Sequence, residues 1–226
     1  MLPSERFQHK DFITQCFAVL ILFCLLLSPA KAEQTRVMPS SGEGWVKAST
    51  KRDASVWTRE VAGTSVKEVK LEAVIDAPVE QVWRTVSQVE HYTQFMPYVD
   101  EITVFDDKGS DNQYVYHRVN PPIVSQRDYT LLIANEVNSE QGHYYRYWTQ
   151  KNEFGPAPID GVVRLTICDG SWELTATEDG GTRVTYWLYT DPGGSIPSWL
   201  ANKANRSGLY DIVFAIEKRA QDKSWQ

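Results

Sequence analysis

The residues that could carry catalytic chemistry do not form a recognisable set in this sequence. Three histidines follow residue 32, His91, His117 and His143, and none stands at metal-ligand spacing from another histidine or from Cys168. The Gly-x-Ser-x-Gly pattern of serine hydrolases and the glycine-rich phosphate loop of nucleotide-binding proteins are both absent. The sequence therefore predicts no catalytic residue, no metal site and no cofactor.

One charged residue interrupts an otherwise apolar, strand-like stretch. Arg164 stands within residues 162–167, VVRLTI, where an unpaired charge inside the protein would be costly. We expect it to face solvent, to form a structural ion pair with Asp128 or Asp160, or to contact a ligand head group. Arg127 and Asp128 are adjacent and point to opposite faces of a strand, so both are interpreted as structural.

Aromatic side chains offer apolar contacts instead of chemistry. Trp199 follows a predicted helix start closely, where its ring could enter a bilayer interface or pack back on the sheet. Tyr144, Tyr145, Tyr147 and Trp148 share one predicted strand, so two should face inward and two outward. Half of this aromatic cluster is therefore expected to be core or cavity wall.

The elements that must position these residues follow the order strand, helix, several strands, helix. Residues 69–75 alternate in polarity as a strand does, and Asp76-Ala77-Pro78 is expected to end that strand and open a helix, with Asp76 as a cap. A hairpin turn is predicted at residues 178–181 and a long amphipathic helix after Pro197. Further strands are predicted near residues 102–105, 113–119, 127–137, 143–150, 162–177 and 182–190.

The first 32 residues differ in character from all that follow. Arg6 and Lys10 precede an unbroken apolar run at 16–27, and Ala30-Lys31-Ala32 comes next, the three parts of a secretory signal. Twelve apolar residues fall short of the roughly 20 that a membrane-spanning helix needs, so cleavage is expected instead of anchoring. Residues 1–32 are thus predicted to be a signal peptide, 33–44 a flexible leader and 45–223 the folded domain, exported to a periplasm or secreted.

The composition limits the possible partners. Removing 32 of the 226 residues leaves 194, which suits one domain with a substantial core. A net charge of −6 argues against nucleic acid as a partner and against tight adhesion to anionic lipid. Cys168 is the only cysteine after residue 32, so packing alone must stabilise the domain, which we expect to be a monomer.

The order of elements indicates an α+β domain whose helices are segregated from an antiparallel sheet. A curved sheet needs its concave face filled, and the terminal helix is the only long element available. The helix and sheet could pack directly, or the helix could lie across the mouth as a lid over a ligand cavity. Composition alone favours direct packing, because aromatic residues are usually core residues.

Three motifs ahead of the terminal helix decide between these outcomes. They are Arg127-Asp128-Tyr129, residues 158–164 (PIDGVVR) and residues 189–200 (YTDPGGSIPSWL), and in this order they resemble the START family of steroidogenic-acute-regulatory-protein-related lipid-transfer domains. Weaker agreement extends over residues 45–126. The resemblance implies a helix-grip fold, in which a curved antiparallel sheet wraps around a long C-terminal helix and encloses an apolar cavity for one lipid. The family's cholesterol carrier has a buried arginine where this chain has Leu131-Leu132-Ile133, so the particular lipid, sterol-like or phospholipid, does not carry over.

The resemblance also implies a gate, formed by the loop at 153–158 and the first part of the terminal helix. The expected protein is not an enzyme: it binds one lipid, carries or senses it between membranes, and touches the membrane surface transiently. An enzyme of the same superfamily, a cyclase or hydrolase acting on a hydrophobic small molecule, is the main alternative. A periplasmic adaptor that binds protein is the second. The residues expected at the cavity or gate are Phe154, Pro156, Pro158, Arg164, Ile196, Trp199, Leu200, Leu209 and Val213.

Overall fold

The structure, a computed structural model, describes residues 43–106, 113–122 and 124–225. The predicted signal peptide and residues 33–42 of the predicted leader lie outside the described residues. Within the described ranges, no helix combines the length and the apolar character needed to cross a membrane.

One large sheet dominates the described part of the chain. Its order is β1-β2-β3-β10-β9-β7-β6-β5-β4, with the short β8 beside β6. Neighbouring strands are antiparallel, as predicted, except that β8 runs parallel to β6. The strands are β1 Val46–Lys51, β2 Ala54–Arg59, β3 Glu68–Ile75, β4 Val99–Asp106, β5 Gln113–Val119, β6 Arg127–Asn138, β7 His143–Gln150, β8 Val163–Arg164, β9 Ile167–Ala176 and β10 Thr182–Asp191.

Three α-helices accompany the sheet in the described residues: α1 Val79–Ser87, α2 Tyr92–Phe95 and α3 Ser198–Ala220. Single 3₁₀ turns lie at Val89–His91, Ser139–Gln141, Asn152–Phe154 and Lys223–Trp225. The N-cap position of α1 is Pro78 and no side chain caps it, so the capping role expected for Asp76 is not realised. Asp76 lies two residues before the N-cap, too early to accept from the first free amides.

The two halves of α3 pack against different surroundings. Residues Val213, Ile216 and Ala220 of the second half are buried in the main core, together with side chains of β2, β3 and α1. In the first half, Leu200, Ala204 and neighbouring positions face an internal cavity instead. The terminal helix therefore packs directly on the core at one end and covers a cavity at the other, so the cavity implied by the START resemblance is present beside a directly packed half.

The inner face of the sheet is set by strand register. His117 of β5 is opposite Tyr129 of β6, and Arg146 of β7 is opposite Asn135 of β6. Because side chains alternate along a strand, residues 127, 129, 131, 133 and 135 of β6 share one face. The cavity is lined by that face.

Candidate functional site: an internal cavity

A cavity of about 540 Å³ lies between the inner face of the sheet and the first half of α3. Such a volume is within the range of about 300–1,000 Å³ typical of pockets that enclose a small organic molecule. Its wall is mainly aliphatic and aromatic. The deep wall includes Val89, Tyr92, His117, Tyr129, Leu131, Ile133, Arg146, Trp148, Leu165, Cys168, Trp172, Tyr186 and Leu188.

Close packing of aromatic rings fixes the shape of the deep wall. Trp172 stacks on Tyr186 with ring centroids 4.0 Å apart, and Trp148 lies 6.1 Å from Tyr186. A Cβ at Gly170 would collide with the Trp148 ring and lie 2.9 Å from the Trp187 carbonyl oxygen. Glycine is therefore required at position 170 for Trp148 to reach the cavity wall.

His117 is a polar group in this otherwise apolar wall. It is 6% exposed, stacks on Tyr129 with ring centroids 5.1 Å apart, and its Nε2 has no hydrogen-bond partner among the described residues. Burial, with a smaller contribution from the charge of Arg146, lowers the pKa of His117 to about 3. The imidazole is therefore neutral at pH 7 and presents an unused polar atom.

Arg146 is the second polar group of the deep wall, and it is only 3% exposed. Its Nη1 donates to Asn135 Oδ1 at 2.9 Å and its Nη2 to Gln113 Oε1 at 3.3 Å, both neutral amides. No carboxylate of the described residues forms an ion pair with Arg146. Burial lowers the pKa of this guanidinium. The charge of the exposed Glu90 opposes this lowering in part, but it forms no ion pair with Arg146. A buried guanidinium without an ion pair is unusual, because desolvation is normally offset by a paired charge.

Neither His117 nor Arg146 was predicted as a site residue. A signal was present in the sequence for Arg146: it lies between Tyr144 and Trp148 on the same face of one aromatic strand. A charge flanked at i−2 and i+2 by large apolar residues is rarely on a solvated face. Which side of the sheet that face covers depends on the register of β6 and β7, which the sequence does not show.

The mouth of the cavity is lined by a different set of segments. They are the start of β4, the β5–β6 connection, the β10–α3 connection and the first half of α3. Pro122, Tyr98 and Lys203 of this rim are exposed. The residues contributed by these segments include Tyr98, Pro121, Pro122, Val124, Pro192, Ile196, Leu200, Lys203, Ser207 and Asp211.

Arg127 ties two of these rim segments together. It is 4% exposed, and its guanidinium donates from Nε to the Pro192 carbonyl at 3.3 Å and from Nη1 to the Ser125 carbonyl. Gly193 and Gly194 follow Pro192 with φ of +63° and +68°, which only glycine adopts readily. Arg127 therefore holds the β5–β6 connection to the start of the hinge that leads into α3.

The structure brings two of the predicted site residues, Ile196 and Leu200, to the cavity. Trp199 lies between them in sequence but is 68% exposed and does not line it. Leu209 and Val213 are each 1% exposed within the main core and are also absent from the cavity wall. Helical periodicity explains the separation, since consecutive helical residues point about 100° apart.

The loop predicted as part of the gate does not line the cavity. Phe154 is 53% exposed and stacks on Tyr114, with ring centroids 4.4 Å apart. Pro156 and Pro158 are exposed, and the Pro156 carbonyl accepts a hydrogen bond from Arg164 Nη1 at 3.1 Å. In this structure the rim facing α3 comes from the β5–β6 connection instead.

Arg164 forms the ion pair with Asp128 that was one of its three expected roles. Its Nε lies 2.7 Å from Asp128 Oδ1 and its Nη2 lies 2.8 Å from Oδ2, a bidentate arrangement. Tyr116 donates a further hydrogen bond to Asp128 Oδ2 at 3.1 Å, and the bonds to Asp128 raise the pKa of Arg164. Parallel pairing of β8 with β6 sets this geometry, because it places Arg164 opposite Asp128.

Comparisons with known proteins agree with this architecture. The sequence profile of the family described as "Polyketide cyclase / dehydrase and lipid transport" matches residues 75–217. The chain belongs to this family and is a START-domain protein.

The chain is also similar to individual proteins, several of them named as lipid transfer proteins. A STAR-related lipid transfer protein of Xanthomonas axonopodis, of known crystal structure, is 27% identical; the match covers 80% of this chain and 100% of that one, with a TM-score of 0.71. Human STARD10 superposes with a TM-score of 0.72 at 18% identity, over 98% of this chain and 84% of that one, which confirms the helix-grip fold. Mouse phosphatidylcholine transfer protein is 28% identical over 59% of this chain and 63% of its own length, slightly less than two thirds. An uncharacterised Pseudomonas aeruginosa protein is 28% identical over 78% of this chain and 89% of its own.

Proposed function

We propose that this protein binds one lipid molecule in the cavity under α3 and carries it between membranes without changing it chemically. The observation that carries the proposal is the cavity itself, about 540 Å³, lined mainly by apolar side chains and covered by a helix with a glycine hinge. Relatives named as lipid transfer proteins support lipid binding and transport.

The physical basis is the replacement of water around an apolar ligand. Enclosing apolar surface contributes about 25 cal/mol per Å², so a wall of this kind stabilises a bound acyl chain or ring system by several kcal/mol. Release then requires a membrane that solvates the ligand equally well. A helix that opens at the bilayer surface supplies that step without covalent chemistry.

The titratable groups of the cavity support a non-catalytic role. Burial raises the pKa of the Cys168 thiol to about 12, so almost no thiolate is present at neutral pH. Burial likewise raises the pKa of Tyr186 above its ordinary value and lowers that of His117 to about 3. Within the described residues, no cluster of His, Cys, Asp and Glu is arranged to hold a metal ion.

Two further parts of the proposal concern location and membranes. Residues 1–32 direct export, with cleavage after Ala32, so the protein works in a periplasm or outside the cell. We also propose that the exported protein is a monomer. The exposed ring of Trp199, next to the cavity-lining Leu200, contacts the bilayer while the mouth opens. Amino-terminal sequencing of protein from the exported fraction tests the first part: the chain should begin at Glu33, and an intact Met1 would contradict it.

The carrier role is tested by titrating the purified protein with dehydroergosterol and with a pyrene-labelled phosphatidylcholine. We expect saturation near one ligand per chain, and mass spectrometry of the extracted ligand should show it unchanged. Gly208→Phe places a ring in the cavity beside the first half of α3; it serves as the matched control and should bind both probes more weakly. Conversion of a bound ligand into product would support the alternative enzyme of the same superfamily.

A further inference from the structure

The deep wall of the cavity carries a positive charge that forms no ion pair among the described residues, although the charge of the exposed Glu90 acts on it. Arg146 is 3% exposed, and the acceptors of its two hydrogen bonds, Asn135 and Gln113, are uncharged. Burying a guanidinium without a counter-ion carries a desolvation cost of several kcal/mol, which an opposite charge in hydrogen-bonding geometry offsets. In the described part of the chain, no carboxylate forms that ion pair.

The position of Arg146 indicates where a ligand's charged group would lie. In β6, Arg127 marks the mouth and Asn135, the partner of Arg146, lies eight residues further along the strand. At about 3.4 Å per residue, Arg127 and Asn135 are roughly 27 Å apart along β6. Arg146 is therefore at the end of the inner face opposite the hinge, and apolar side chains, Leu131 and Ile133 among them, line the intervening wall.

A second polar group on the same wall lacks a partner. The buried Nε2 of His117 makes no hydrogen bond within the described residues, although His117 lines the cavity. A neutral imidazole donates a hydrogen bond from whichever ring nitrogen carries the proton, and in the Nε2–H tautomer this atom would donate to a ligand oxygen. The wall thus offers a guanidinium beside an imidazole without a partner at Nε2, and no carboxylate of the described residues is paired with the guanidinium.

We propose, on the basis of the lipid-binding function above, that the ligand is an amphipathic lipid with an anionic group, a carboxylate or a phosphate, held at Arg146 with its apolar chain directed towards the mouth. The anion completes the charge balance of the buried guanidinium, and a planar guanidinium can donate two parallel hydrogen bonds to either group.

The test compares ligands that share one chain and differ in the head group: oleate, oleoyl lysophosphatidate and the uncharged oleyl alcohol. Each competes against a pyrene-labelled fatty alcohol for the purified full-length or exported protein. We expect at least one anionic ligand to bind about ten- to a hundredfold more tightly than oleyl alcohol, the range for a hydrogen bond to a charged group. Which of the two binds more tightly identifies the head group as carboxylate or phosphate.

Arg146→Gln should remove this preference while oleyl alcohol still binds, and Arg183→Gln, which removes an exposed charge from β10, should leave the preference unchanged. Equal affinities for all three ligands in the unaltered protein would overturn the anion site even if Arg146→Gln fails to fold. Loss of the preference in Arg127→Gln with retention in Arg146→Gln would also overturn it, placing the head group at the mouth. If the pyrene-labelled alcohol does not bind, and dehydroergosterol and the pyrene-labelled phosphatidylcholine do not bind either, the proposed lipid-binding function fails, and not only the anion site.

Discussion

At the residue scale, Arg146 and Arg164 lie on two strands that both pair with β6, but their environments differ. Arg164 is neutralised by Asp128 in a bidentate ion pair outside the cavity, whereas Arg146 lines the cavity without a carboxylate partner among the described residues. The sequence identified Arg164, because a lone charge among VVRLTI is conspicuous, and it included pairing with Asp128 among the alternatives. It did not identify Arg146, because the side of the sheet that Arg146 faces depends on how β7 pairs with β6 and β9, which the sequence does not show.

Arg164 should matter for stability and not for ligand binding. The side chain of Asp128 is 1% exposed, so Arg164→Met leaves a buried carboxylate without its counter-ion. Losing one partner of a buried pair costs about 3–5 kcal/mol. We expect urea unfolding to show a loss of that order, with lipid affinity per folded molecule unchanged. Arg183→Met, at an exposed site, should change the free energy of unfolding little; weaker lipid binding by a fully stable Arg164→Met would contradict this structural role.

His117 should make stability depend on pH. Its pKa is about 3 in the folded protein and about 6.5 when unfolded, so between these values the unfolded chain binds a proton that the folded one excludes. Stability is therefore retained above pH 6.5 and falls as the pH drops, by about 1.4 kcal/mol per pH unit for this group.

The variant His117→Phe removes this dependence and keeps the ring stacked on Tyr129. Between pH 7 and pH 5 the free energy of unfolding should fall in both proteins, but the fall should be roughly 2 kcal/mol smaller in His117→Phe than in the parent. Urea titrations at both pH values measure the difference, with His143→Phe as the control histidine on β7. Parallel pH profiles for the parent and His117→Phe would show that His117 is protonated in the folded state.

At the element scale, the sequence located β3 to β7 and β10 within a few residues, from alternation in β3 and from β-forming residues between turn residues in the others. Asp179-Gly180-Gly181 located the β9–β10 turn, where Gly180 has a φ of +85°. The β1–β2 hairpin was missed: all six residues of β1 are exposed, although β2 has a buried face. The two-residue β8 was merged with β9, because pairing with β6 and not local sequence defines it.

Gly208 provides a test of whether the first half of α3 covers a real space. It lies inside the helix and lines the cavity, and an added Cβ would have no atom within 4 Å beyond the helix's own backbone. Gly208→Ala should stabilise the protein by about 0.5–1 kcal/mol, since glycine inside a helix costs that amount relative to alanine. Gly208→Phe should occupy part of the cavity and weaken binding of dehydroergosterol while the protein remains folded. Circular dichroism and probe titration measure both; a Gly208→Phe variant that binds the probe as well as the parent would locate the ligand elsewhere.

At the scale of the whole molecule, one helix, α3, connects the packed core and the cavity. The second half of α3 is fixed in the core, while the first half begins beside two glycines of positive φ and covers the cavity. Under the proposed function, a motion of the first half would expose the ligand without unfolding the core, because hinge motions concentrate where backbone constraints are fewest. The hydrogen bonds of Arg127 to Pro192 and Ser125 oppose that motion in the closed state.

Transfer between membranes should therefore depend on the exposed ring at the start of α3 more than on the affinity for ligand. Trp199 is 68% exposed and does not line the cavity, so Trp199→Ala should leave the affinity for dehydroergosterol unchanged. Losing part of the burial of a large ring at the bilayer interface costs roughly 1 kcal/mol, which slows transfer between vesicles about fivefold. The measurement is the rate at which dehydroergosterol moves from donor to acceptor phosphatidylcholine vesicles. Phe154→Ala removes an aromatic ring that is 53% exposed in the loop outside the cavity wall and should leave that rate unchanged. A slower rate in Phe154→Ala and a normal rate in Trp199→Ala would instead place the membrane contact at the loop of residues 153–158.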